Sequence, residues 1–260
     1  MNISSIIPVL EQIAPPELAE DFDKGKIGAI LNLGNDIEQI AVALDPTDYV
    51  LNRAADIGAD MLITHHTLIF HPITVITKPL ADTLKIALDN NISLYSMHTN
   101  YDKAQGGVND VLADRLGLVN VTGLKINVNV NLNINIDSES GRIGEIPTCS
   151  ADTFAKHVSR SLDTHVQYVG NRDDISRVMV IGGSGFRAGY LDIARDNEVD
   201  ALVSGELKHD VIRARGDISL IDATHYATEN PAMEHLCGRL LDMLDVDVEF
   251  IDHNPFINVM

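Results

Sequence analysis

Asp60-Met61-Leu62-Ile63-Thr64-His65-His66 decides how this chain is read. Four apolar or β-branched residues, bounded by an acid before and two imidazoles after, describe a short buried strand that ends in a loop. The same pattern returns 140 positions on, in Asp200-Ala201-Leu202-Val203-Ser204 followed by Gly205-Glu206. Upstream of each lies another apolar run, Ile40-Ala41-Val42-Ala43-Leu44 and Val178-Met179-Val180-Ile181. Between run and strand stands an amphipathic segment with Val50 to Ile57 in one case and Tyr190 to Ala194 in the other. A third strand follows each time, Ile92 to Met97 and Ser219-Leu220-Ile221, the latter running on to Asp222-Ala223. Strands alternating with helices predict an α/β fold with parallel strands. The parallel patterns predict an internal duplication, with residues 1–124 as the first α/β repeat and 125–260 as the second.

Further elements fill this frame. Asp45-Pro46 reads as a helix opening, because Asp is a favoured cap and Pro suits the first helical position. Gly58 closes that helix. A second helix is expected from Leu80 to Asp89, a third after Gly106-Gly107 carrying Val108, Val111, Leu112 and Leu116, and a fourth from Ala151 to Leu162. From Ile126 to Ile136 aliphatic residues alternate with Asn, the period of a half-buried strand. Ser138 to Gly144 reads as a turn or linker, and His165 to Val169 as a strand.

The chain has 260 residues, 45% of them hydrophobic, and no Trp. Its formal net charge of −19 opposes binding to nucleic acid and to anionic membranes. Two cysteines without a CxxC spacing exclude a thiolate metal site and a disulfide framework. The first residues do not form a signal peptide, and no stretch has the length of a membrane span. A cytoplasmic protein without nucleic-acid or membrane partners is the expectation.

The chemistry lies at the carboxyl ends of the strands, where ligands bind in open parallel sheets. His65-His66 follows one strand and His98-x-x-x-Asp102 the next. In the second repeat His225-x-x-x-Glu229 aligns with His98-x-x-x-Asp102. Imidazoles and carboxylates gathered in this way suit Zn, Fe or Mn. Three imidazoles and two carboxylates, from His65, His66, Asp102, His225 and Glu229, exceed the needs of one catalytic ion. They fit two ions about 3.5–4 Å apart. Glu206 and His98 are candidates for proton transfer or for orienting a ligand ring. His71, His157, His165, His209, His235 and His253 have no matched partner and read as structural or surface residues. Gly182-Gly183-Ser184-Gly185 is either a phosphate-holding loop or a tight strand-to-helix turn, the turn being the stronger reading.

At these residues the chain resembles the Nif-three-like dinuclear metal-centre family, whose members are named GTP cyclohydrolase 1 type 2 homologues. The resemblance runs through Leu10-Glu11-Gln12-Ile13-Ala14-Pro15, Leu18-Ala19-Glu20-Asp21-Phe22-Asp23, Ile63-Thr64-His65-His66, His98-Thr99-Asn100-Tyr101-Asp102, Ser204-Gly205-Glu206 and His225-Tyr226-Ala227-Thr228-Glu229. It implies two intertwined α/β repeats with mixed sheets and a metal site in the cleft between them. It also implies a ring-like homo-hexamer, and metal ligation by the same five residues. Phe22-Asp23-Lys24-Gly25-Lys26-Ile27-Gly28 departs from the family's usual Trp-Asp-Asn-x-Gly-Leu. The expected activity is that of a metal-dependent hydrolase on a nucleotide-like or heterocyclic small molecule, GTP ring opening among them. The rival is a non-catalytic, oligomeric metal-binding or regulatory protein.

Overall fold

The computed structural model describes residues 1–126 and 136–254. These form two compact units, Met1–Gln105 with residues 232–254, and Gly106–Pro231.

In the first unit, α1 (Ile3–Ile13) is followed by β1 (Gly28–Leu31), β2 (Gln39–Ala43), α2 (Asp48–Asp56) and β3 (Met61–Thr64). Next come α3 (Lys78–Asp89), β4 (Ser93–Ser96) and the short α4 (Thr99–Lys103). Every residue of β3 and β4 is buried, as befits strands covered on both faces. Leu62 and Leu94 pack with Ala41, Val50, Leu51, Ala54 and Ile92 in one apolar cluster. Burying each such large aliphatic side chain contributes about 1.5–3 kcal/mol.

The second unit contains α5 (Val108–Arg115), β5 (Val119–Gly123), β6 (Arg142–Cys149), α6 (Ala151–Ser161) and β7 (Gln167–Val169). It continues with β8 (Ile175–Val180), α7 (Ala188–Asp196), β9 (Ala201–Ser204), α8 (His209–Ala214) and β10 (Ser219–Asp222). The long helix α9 (His225–Met243) starts here, and its later turns, with the final strand β11 (Asp247–Phe250), belong to the first unit.

Among the described residues the first sheet runs β1-β4-β3-β2-β11 and the second β5-β6-β8-β9-β10-β7. Strands β11, β2, β3 and β4 are parallel, with β1 antiparallel to β4. Strands β8, β9 and β10 are parallel, flanked by antiparallel β6 and β7, and β5 is antiparallel to β6. The duplication holds down to single hydrogen bonds. Asp60 Oδ2 accepts from the backbone N–H groups of Glu38 (2.8 Å) and Gln39 (3.1 Å). Asp200 Oδ2 accepts likewise from Ser176 (3.0 Å) and Arg177 (2.9 Å). The N–H of Met97 donates to the carbonyl of Thr64, and that of Ala223 to Ser204. Each acid pins the start of the strand that neighbours its own.

The limits of the two compact units fall after Gln105 and Pro231, and β11 lies in the first unit because it returns to pair in parallel with β2, Val248 opposite Ile40. Two readings of the sequence need adjustment. Helix α2 begins at Asp48, not at Asp45-Pro46: Thr47 is the cap, and its hydroxyl accepts from the N–H of Val50 at 3.2 Å. The turn expected over Ser138 to Gly144 is confined to its first residues, since β6 starts at Arg142. Most of the alternating Ile126–Ile136 segment lies outside the described residues, while Ile126 and Ile136 themselves pack against the second unit's core.

Candidate metal centre

In the first unit, β3 and β4 deliver three imidazoles to one place. His65 and His66 follow β3 directly, and His98 caps the start of α4 just after β4. Each ring offers a ligand nitrogen, and the three lie within 4.8 Å of one another. The ring centroids are 5.0 Å apart for His65–His66 and His65–His98, and 5.5 Å for His66–His98. Asp102, one helical turn beyond His98, places Oδ1 3.5 Å from His65 Nε2. The spacing is the cause: residues four apart share a helix face, so a strand followed at once by a helix presents both on one side.

Every one of these imidazoles is held through Nδ1. The His65 ring is fully buried and donates to the carbonyl of Met97 at 2.9 Å. His66 donates to Asp45 Oδ1 at 2.6 Å and His98 to Asp23 Oδ2 at 2.7 Å. A donor bond at Nδ1 fixes the tautomer in which Nε2 carries the lone pair, the arrangement that metal-binding histidines adopt. Asp23 is itself fully buried, and its Oδ2 also accepts from the Thr99 N–H and hydroxyl. Burial works against its ionisation, yet the bonds from His98 and Thr99 hold its carboxyl below the ordinary carboxylate range. Burial pulls the His98 imidazole down, but the bond to Asp23 and the charges of Asp102 and Asp23 lift it above the usual histidine value.

The second unit repeats the arrangement with different residues. His225 and Glu229 occupy the first turn of α9, with Nε2 and Oε2 3.0 Å apart. Glu206 Oε1 accepts from His225 Nδ1 at 2.7 Å. Burial raises the Glu206 carboxyl, but the hydrogen bond and charge of His225 outweigh it and leave the group below its ordinary value. Two non-glycine residues at positive φ stand at this contact: Glu206 itself at +62° and the β-branched Thr224, directly before His225, at +68°. Such conformations cost on the order of 1–3 kcal/mol each and persist where the surroundings enforce them.

The glycine loop after β8 serves this site as a turn. The N–H groups of its three glycines are taken by protein oxygens: Gly182 by Asn109 Oδ1, Gly183 by Thr228 Oγ1 and Gly185 by Ser204 Oγ. Gly183 has φ +61°, and a Cβ there would run into Glu229 Oε1. The absence of a side chain therefore lets the Glu229 carboxylate close against the loop.

Among the residues expected at the site, His65, His66, His98 and Asp102 gather in the first unit, and His225, Glu229 and Glu206 in the second. Glu206 stands behind His225 and orients its ring, whereas His98 is a full member of the imidazole cluster. Asp23 and Asp45 were not singled out as site residues by the sequence. Asp45 stands just past the end of β2, so the strand-end rule that found the histidines also points to it. Of the unmatched histidines, His157 donates through Nε2 to the Leu116 carbonyl at 2.9 Å, and His253 stacks on Tyr49. Replacing Asp45 with Ala is expected to weaken Zn²⁺ binding by roughly 10–100-fold, the usual cost of losing a carboxylate behind a ligand histidine. Competition against a chromophoric chelator measures it.

A duplicated α/β chain with buttressed imidazoles and carboxylates at its parallel strand ends defines a class of protein with metal-binding potential. A family model for DUF34/NIF3 (NGG1p interacting factor 3) matches residues 1–255. The chain belongs to this family. A Clostridium perfringens protein named GTP cyclohydrolase 1 type 2 homolog is 29% identical over 262 residues, covering 96% of this chain and 95% of that one. A Methanocaldococcus jannaschii protein of the same name is 30% identical over 256 residues, covering 97% and 100%. Among solved structures, reduced HcgD from M. jannaschii matches with a TM-score of 0.83 at 30% identity, over 97% of this chain and 98% of that one. A Bacillus cereus protein related to NIF3 has a TM-score of 0.86 over 100% and 99%, and at 23% identity it shows the shared fold alone.

Proposed function

We propose that this chain is a dinuclear-metal-dependent hydrolase acting on a nucleotide-like or heterocyclic small molecule. His65, His66, Asp102, His225 and Glu229 hold the two ions, which are Zn, Fe or Mn. The observation that carries this reading is the anchoring of each imidazole at Nδ1 by Met97, Asp45, Asp23 or Glu206. Three of the four anchors are carboxylates, and that of Asp23 is fully buried, where a charge is costly unless it is paired. Divalent ions so held would bring the pKa of a bound water to near 7 and polarise the bond to be cleaved.

The chain's own residues prepare that chemistry. Asp45 and Glu206 keep the His66 and His225 rings from rotating and direct Nε2 outward. Asp23 does the same for His98. Fixed donors of this kind spend no reorganisation energy at the moment of reaction. The name carried by the relatives, GTP cyclohydrolase 1 type 2 homolog, favours a purine nucleotide within this substrate class. A homo-hexamer belongs to the same proposal.

Elemental analysis of the purified protein, paired with turnover assays on nucleotides, phosphoesters and cyclic amides, tests it. About two ions per chain and turnover on one of these classes are expected, with both reduced in Asp102→Ala. Full metal occupancy with no turnover anywhere in the set would sink the hydrolase and leave a metal-binding protein.

A further inference from the structure

Beside the imidazoles of the first unit stand two phenyl rings that metal binding leaves unexplained. Phe22 is 44% exposed and Phe70 39% exposed. The chain has only 6 Phe and no Trp, so leaving two large rings in water is a conspicuous use of them. Their centroids are 6.3 Å apart. Both present an edge-on contact to His98, at 6.3 Å for Phe22 and 5.9 Å for Phe70. Lys26 Nζ lies 4.1 Å from the Phe70 centroid and 5.3 Å from that of Phe22. Among the described residues no carboxylate pairs with this ammonium, although the chain has 38 acidic residues against 19 Lys and Arg.

The three groups are placed by the metal-site scaffold itself. Phe22 lies in the short 3₁₀ turn Asp21–Asp23, and Asp23 is fastened to His98 and Thr99. Phe70 follows His65-His66 in a loop whose Leu68 packs against the core. The rings thus keep their distance to His98. An aromatic face offers stacking to any planar ring, whatever its hydrogen-bonding edge. A cation held only by ring faces at an exposed site is weakly bound. It is available to a phosphate, which lysine contacts as a point charge.

We propose that Phe22, Phe70 and Lys26 form a recognition site for a planar heteroaromatic ring bearing an anionic group. The ring lies against the phenyls and the anion meets Lys26. Calling this ligand the substrate rests on the hydrolase reading above; its binding does not.

Calorimetric titration of the purified protein with GMP, guanosine and inorganic phosphate tests the site. GMP is expected to bind, guanosine more weakly and phosphate not measurably. Phe70→Ala should weaken GMP at least about tenfold, as loss of a stacking platform does. Lys26→Met should weaken GMP to the level of guanosine and leave guanosine unchanged. Both residues lie at the surface, and circular dichroism confirms that the variants fold. No GMP binding at millimolar concentration, or unchanged affinity in both variants, overturns the proposal. So does a Phe70→Ala protein that keeps its GMP affinity but sediments differently, which makes the rings a contact between copies of the chain. The two readings fail separately. Phe70- and Lys26-dependent GMP binding without any turnover keeps the recognition site and removes the hydrolase. Metal-dependent turnover alongside a GMP affinity unchanged in both variants does the reverse.

Discussion

His65→Ala is expected to lower the affinity for Zn²⁺ by more than about 100-fold, beyond what loss of an outer carboxylate produces. The ring is fully buried, 5.0 Å from both neighbouring imidazoles, and fixed by the Met97 carbonyl. Alanine removes a ligand nitrogen and leaves that carbonyl without its imidazole donor, a loss with a cost of its own. The neighbouring His71 is exposed, so His71→Ala is the control and should bind zinc as the wild type does. Chelator competition on folded protein gives the comparison. A wild-type affinity in His65→Ala would exclude the cluster as the metal centre.

Phe154→Ala should destabilise the second unit by about 3–5 kcal/mol, a large part of the 5–15 kcal/mol typical of a folded domain. Phe154 is 1% exposed and sits among Leu112, Leu116, Val158, Ile175 and Val178. Alanine would leave a cavity where α6 packs on the sheet. Urea unfolding followed by circular dichroism measures the loss. A change below about 1 kcal/mol, as at surface positions, would mean that the surrounding side chains collapse into the gap.

Short-range patterns made much of this structure legible. Met61–Thr64 was readable residue by residue because a strand buried on both faces is a continuous apolar run bounded by polar residues. The matched Asp60 and Asp200 exposed the duplication because both do the same work on a neighbouring strand. Asp45 was misread as part of a helix opening because Asp-Pro has that meaning locally. Its carboxylate is claimed instead by His66, 21 residues away. Asp23 reaches His98 across 75 residues, which no local pattern encodes. Helix α9 carried little signal because Pro231, a residue that ordinarily ends a helix, lies inside its continuous His225–Met243 span. Asp23 and Asp45, unlike Glu206 behind His225, were therefore the least visible part of the site, being defined by tertiary contacts.

The return of β11 to the edge of β2 has a consequence for biosynthesis. A ribosome releases β2 some two hundred residues before β11, the parallel neighbour on its outer flank, exists, since Val248 is the partner of Ile40. Until then one flank of the nascent sheet offers unsatisfied amide and carbonyl groups, a template for adhesion to other chains. Cotranslational folding of the N-terminal portion is thus held incomplete until the last strand emerges. Fragments ending before residue 247 should aggregate, and the final few residues of the sheet act as its clasp.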